Sequence, residues 1–219
     1  MDPNGIDGYV LLGDLIDYGP HSNEVIELVR KLEKPVLCNI WGNHEEALMN
    51  ERYERFSSDR GKDSARFTRK TLTEESIYFL MNEMETSGRQ VFFVDGKKCL
   101  AVHGSLEDVY WKSILPYQDL EEYREYDYVF SGHSHEPHFF EKYYVTDDAV
   151  HRNRKKTIFI NPGSVGQPRN LNCMSQYAIL DTQTEDIHMV KVSYDVEKEM
   201  QAFSGQVDVF YKKRLLTGV

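Results

Sequence analysis

The chain has 219 residues, with 26 Lys and Arg against 36 Asp and Glu for a net charge of −10, and 40% of its residues are hydrophobic. That apolar share is enough for a sizeable core and excludes intrinsic disorder, while the acidic balance argues against a nucleic-acid partner, whose phosphates need clustered Lys and Arg. No apolar run reaches the roughly 18 residues of a membrane span, and the opening MDPNGIDGYV lacks the basic and apolar regions of a secretory leader, so a cytoplasmic protein with no membrane partner is expected. Cys38, Cys99 and Cys173 are odd in number, form no C-x-x-C pair and sit beside apolar stretches. Reduced, buried thiols are expected.

No repeat or Gly/Ser linker divides the chain, and one domain over 1–219 is expected. A short apolar run, YVLLGD (9–14), reads as the first strand. NEVIELVRKLEK follows with helical spacing and with Ser22 or Asn23 as N-cap, and PVLCNIWGN (35–43) completes a strand, helix, strand unit. Residues 44–86 read as largely helical, with Thr73 and Ser76 as start signals for their last helix. KCLAVHG (98–104), YDYVFSGH (126–133) and TIFINPG (157–163) are further buried strands, and DLEEYREY predicts a short helix. YAILDTQTEDIHMVKVSYD predicts two strands around a polar turn, and VEKEMQAF a helix. The layout is α/β with late antiparallel strands.

The strands end on chemically distinctive residues: Asp14, Asn43, His103, and His133 with His135. Ligands of open α/β sheets bind beyond the carboxyl ends of the strands, so these five side chains are candidates to converge, and Asp, Asn and His are a metal-binding set. The one-residue gap in GHSH places His133 and His135 on one side if that segment is extended. Each residue alone is an ordinary cap or hydrogen-bonding group, but five at four successive strand ends are hard to produce by turn chemistry. His21, His138, His151 and His188 have no such context and read as surface residues, as do Arg152, Arg154, Lys155 and Lys156.

GDLIDYG (13–19), GNHE (42–45), VHG (102–104), GHSH (132–135) and NPGSVGQPR (161–169), in this order, resemble the calcineurin-like metallophosphoesterase superfamily and its small phosphodiesterase-like branch. The resemblance spans about residues 8–182. It implies a β-sandwich flanked by helices with a site for two divalent transition metals, Mn, Fe, Zn or Ni, at the strand ends. Asp14 would bridge both metals, Asn43, His103 and His133 would complete one shell, and His135 would serve the other. His44 would stand at the leaving oxygen, with Asp17 orienting it. The implied activity is metal-dependent hydrolysis of a small phosphoester, most simply a phosphodiester, by activated hydroxide.

Two departures bear on that reading. The family opens with Asp-x-His on its first strand, whereas the first thirteen residues here hold Asp2 and Asp7 but no His. A first strand and helix are therefore expected to be missing, through N-terminal shortening rather than decay of the site, leaving one metal well held and the other weak or absent. Sheet edges so exposed would favour a homo-oligomer. Secondly, relatives that grip phosphate with Arg after the second Asp and before GNHE are matched here by Tyr18 and Trp41. A phosphodiester then suits better than a polyphosphate, and Arg169 is a candidate substrate contact. The alternatives are a nucleotide polyphosphate or phosphoprotein phosphatase, and a catalytically impaired metal-binding scaffold.

Overall fold

In β4 (Lys97–Val102), β5 (Tyr128–Ser131) and β7 (Lys156–Asn161), apolar and β-branched residues run without alternation because helices, loops or other strands cover both faces. The computed structural model describes residues 5–152, 154–203, 205 and 207–219. β4, β5 and β7 are the parallel centre of a five-stranded sheet ordered β3-β4-β5-β7-β6, and β3 (Arg89–Val94) and β6 (His138–Tyr143) close its edges antiparallel.

Two small sheets lie over one face. β1 (Tyr9–Leu11) pairs parallel with β2 (Val36–Asn39), and β8 (Ser175–Leu180) pairs antiparallel with β9 (Ile187–Val192). Val10, Leu12, Cys38 and Ile40 from the first pair and Ala178, Leu180 and Ile187 from the second pack against Phe92, Cys99, Ala101, Tyr128, Ile158 and Ile160 of the large sheet. This is sheet-on-sheet packing, and each fully buried aliphatic side chain in it is worth about 1.5–3 kcal/mol. The opposite face carries Leu100, Val102, Val129 and Phe159 under Ile114, Leu120, Tyr123 and Tyr126.

The helices α1 (Ser22–Arg30), α2 (Asn43–Met49), α3 (Asp59–Thr71) and α4 (Glu74–Asn82) form a third cluster around Trp41, Leu48, Phe79 and Leu80. Thr73 caps α4 by accepting from Ser76 N, as its sequence predicts. α5 (Val196–Ala202) and α6 (Val209–Thr217) end the chain. No helix among the described residues is long and apolar enough to cross a membrane.

Several expectations need correction. DLEEYREY is not an α-helix but a single 3-10 turn at Glu121–Tyr123, held by Thr157 Oγ1 donating to the Tyr123 and Tyr126 carbonyls. The N-cap of α1 is His21, because Ser22 Oγ is engaged in accepting from Asp17 N. β3, β6 and α6 fall on stretches given no element by sequence. Cys38 and Cys99 are buried, but Cys173 is only half-buried.

Candidate metal centre

β1, β2, β4 and β5 all run toward the same edge, and the loops leaving them bring Asp14, Asn43, His103, His133 and His135 together. The turns are tight enough to force unusual backbone. Asp14 has φ +55°, Asp17 +79°, Tyr18 +56°, His133 +59° and His135 +60°. GHSH is therefore not extended, as its spacing suggested; two left-handed residues bring both imidazoles to the centre. Non-glycine residues held there cost of order 1 kcal/mol or more each, and such strain clusters at functional sites. At Gly13, with φ +83°, an added Cβ would lie 2.2 Å from Gly42 N, so the first two loops can touch only as glycines.

Hydrogen bonds fix which atoms face inward. His103 Nδ1 donates to the Leu12 carbonyl at 2.6 Å and His135 Nδ1 to the Gln167 carbonyl at 2.7 Å, since a carbonyl can only accept. Each ring then turns Nε2 to the centre. Asn43 Oδ1 lies 3.0 Å from His103 Nε2 and 2.9 Å from His133 Nδ1. Asp14 Oδ1 accepts from His44 N at 3.0 Å. Asp14 Oδ2 is buried with no hydrogen-bond partner, 3.3 Å from His103 Nε2 and 4.0 Å from His135 Nε2.

The electrostatics follow from this crowding. Burial, and then the neighbouring His103, push His133 down to about 4, while burial and Arg169 push His135 down to about 3. Both rings are neutral at pH 7 with a lone pair to offer. Burial opposes ionisation of Asp14, but the surrounding His103 and His44 overcome it and hold its carboxyl below the usual range. Burial likewise opposes a charge on His103, and Asp14 outweighs it, raising that pKa.

A buried carboxylate is costly without positive charge beside it; a proton on His103 Nε2 answers Asp14 in the metal-free chain, and a divalent cation among the same atoms would take that proton's place. Among the described residues no three His, Cys, Asp or Glu side chains close into a ready-made cage; the convergence depends on the Asn43 amide oxygen. Adjacent ligands of a cation with bonds of about 2.1 Å stand roughly 3.0–3.4 Å apart, which fits the His103, His133, Asn43 and Asp14 separations. The residues present thus fit one divalent cation, and Asp14 with His135 offers two groups toward a second.

Beside this cluster His44 Nδ1 donates to Asp17 Oδ2 at 2.8 Å, and both side chains are buried. Asp17 Oδ1 accepts from Ser64 Oγ at 2.6 Å and Thr68 Oγ1 at 2.9 Å. His44 lies between Tyr18, edge-on at 4.4 Å, and Phe56 at 5.0 Å. Burial opposes its charge, but Asp14 and the Asp17 hydrogen bond outweigh it, so its pKa is raised. Trp41 faces away, donating to the Leu80 carbonyl at 2.6 Å. Arg169 lies next to the centre, its amide donating to the His135 carbonyl at 3.2 Å.

Sequence reasoning missed four contributors. Glu45, fully buried, accepts from Gly42 N at 2.7 Å and from Asp14 N and Leu15 N at 2.8 Å, and so ties the first two loops together. Its place three residues after Gly42 is the usual spacing for a carboxylate that folds back on a helix start. Ser64 and Thr68, spaced by four on α3, were a readable polar face. Gln167 acts through its backbone and leaves no side-chain signal.

The sequence profile of the calcineurin-like phosphoesterase superfamily domain matches residues 1–185. The chain belongs to that superfamily, and its fold is the calcineurin-like metallophosphoesterase fold. It is 28% identical over 202 residues to an uncharacterised protein of Methanocaldococcus jannaschii, covering 89% of this chain and 79% of that protein. A metallophosphoesterase from Sphaerobacter thermophilus is 25% identical, with a TM-score of 0.70 over 100% of this chain and 91% of that one. A hypothetical protein from Pyrococcus horikoshii OT3 shares the fold at TM-score 0.78 and 20% identity, over 98% and 86% of the two chains.

Proposed function

We propose that the chain is a metal-dependent phosphodiesterase acting on a small phosphodiester. The observation that carries this reading is the convergence of metal-ligating atoms: a buried Asp14 Oδ2 beside inward-facing nitrogens of His103 and His135, with Asn43 Oδ1 between His103 and His133. Asp14, Asn43, His103 and His133 would hold one cation, and Asp14 with His135 would face a second. A divalent transition metal such as Mn, Fe, Zn or Ni supplies, when bound, positive charge for the phosphoryl oxygens and hydroxide at neutral pH.

The chain's own residues account for the rest. With Nδ1 committed to Asp17, His44 presents Nε2 to the site, and its raised pKa lets it hold a proton there for the departing oxygen. Ser64 and Thr68 keep Asp17 in place as the acceptor that orients that ring. Tyr18 and Phe56 wall His44 from water. Tyr18 and Trp41, standing where arginines would grip a more highly charged phosphate, favour a diester as the reacting group. The test is hydrolysis of bis-p-nitrophenyl phosphate: turnover is expected to vanish with a chelator and return with Mn, and chelator-insensitive turnover would refute the reading.

A further inference from the structure

The helix α6 lies beyond the residues matched by the superfamily profile, yet it packs onto the centre. Tyr211 is buried and stacks on Tyr18 at 4.5 Å, the same Tyr18 that meets His44. Three residues further along, Arg214 Nη1 donates to Gln167 Oε1 at 3.3 Å, and the Gln167 carbonyl is the acceptor that orients His135. Arg214 Nε donates to the Val219 carbonyl. Two residues after Gln167, in the loop after β7, Arg169 donates its amide to the His135 carbonyl at 3.2 Å, and its side-chain Nε is buried with no acceptor. Arg60 lies over the Phe210 ring at 4.0 Å, with Arg214 over that ring at 5.1 Å.

Arg30, Arg52, Arg55, Arg66 and Arg124 pair with carboxylates, whereas among the described residues Arg60, Arg69, Arg89, Arg152, Arg154, Arg169 and Arg214 pair with no Asp or Glu side chain, and of these Arg60 and Arg214 meet at Phe210. Burial, and then the charge of Arg169, hold Arg214 below the ordinary guanidinium range, so the two cations feel each other. Like charges gathered beside a site with an orphaned donor are stabilised when an anion joins them.

We propose that Arg169 and Arg214 form a two-guanidinium seat for a second, non-reacting phosphate, so that the favoured substrate is a small phosphodiester that also carries a terminal phosphomonoester. The reacting diester bears one negative charge and faces the cation site. A phosphomonoester carries about −1.5 to −2 at pH 7, which matches two guanidiniums, and its oxygens suit their forked donors. Guanidiniums absent from positions 18 and 41 thus arrive from α6 and the loop after β7 instead.

The diester half of this proposal rests on the function proposed above; the seat does not, and two measurements separate them. In the first, the chelator-treated full chain is titrated calorimetrically with thymidine 5′-monophosphate and with thymidine. The monophosphate is expected to bind saturably and thymidine not, with binding weakened at least about tenfold by Arg169→Gln and by Arg214→Gln, the worth of a charge-assisted hydrogen bond. Equal behaviour of the two ligands, or undiminished binding by both folded variants, overturns the seat. In the second, the Mn-loaded chain is assayed on the dinucleotides TpT and pTpT, which differ by one terminal phosphate. The wild type is expected to prefer pTpT at least about tenfold in kcat/KM, carried by KM, the preference collapsing in Arg214→Gln and partly returning in Arg214→Lys. No preference in the wild type, or an unchanged preference in Arg214→Gln, overturns the proposal. If neither dinucleotide is turned over, the diesterase reading fails and the calorimetric arm still decides the seat.

Discussion

The middle of the five-stranded sheet and its carboxyl edge are built from the same strands by opposite rules. Within β4 and β5, Leu100, Ala101, Val102 and Val129 are almost wholly buried and apolar on an ordinary strand backbone. A few residues on, His103 is as deeply buried but polar, and His133 and His135 sit at positive φ. The sheet centre tolerates chemistry and depends on volume, whereas its edge depends on which atom points where. Stability is therefore stored in the middle of the sheet and spent at its edge, so damage to each region should be separable.

The largest expected effect is at the edge. Asp14→Ala removes the carboxylate that the two proposed groups of ligands share and should take Mn-dependent turnover of bis-p-nitrophenyl phosphate to the uncatalysed level while the chain stays folded by circular dichroism. Leu100→Ala should do the reverse, costing about 2–5 kcal/mol in denaturant unfolding through lost burial and a cavity while leaving Mn per folded chain unchanged. His44→Gln should lower kcat by roughly a hundredfold or more without loss of Mn, because in the proposed mechanism His44 moves a proton and holds no cation. The comparison breaks if Leu100→Ala strips metal or if His44→Gln unfolds the chain.

The smallest effect lies far from both. Lys156 Nζ bonds Glu141 at 2.7 Å and Glu185 at 2.8 Å, and those hydrogen bonds lower both carboxyl pKa values. Because the folded values lie below the unfolded ones, this stabilisation is present above the unfolded carboxylate pKa of about 4.3 and is lost as pH falls through the folded values. Lys156→Met should then cost about 0–1 kcal/mol at pH 7, as a partly exposed network does, and the gap from wild type in thermal unfolding should close below about pH 4. A gap that widens with acid would contradict this sign.

Most of the edge was legible because its residues follow recognisable strands: Asp14, Asn43, His103, His133 and His135 are named by position, and the structure brings all five together. The conformation was less so. Period-two reasoning put His133 and His135 on one face of an extended segment, but positive φ at non-glycine residues leaves no composition signal. β3 and β6 went unread because, as edge strands, they expose Val91, Phe93, Phe139 and Tyr143 and lack the continuous apolar run of the centre. Arg214 was invisible because its role comes only from the docking of a helix beyond the last recognisable motif.

The central claim is that the cluster around Asn43 Oδ1 holds a divalent cation, and metal content tests it most directly. Chain reconstituted with Mn, desalted and measured by inductively coupled plasma mass spectrometry is expected to retain at least about one Mn per chain, with that metal lost in Asn43→Ala and in His133→Ala. Wild-type chain that retains no Mn, Fe, Zn or Ni, or variants that retain as much as wild type, would contradict the account.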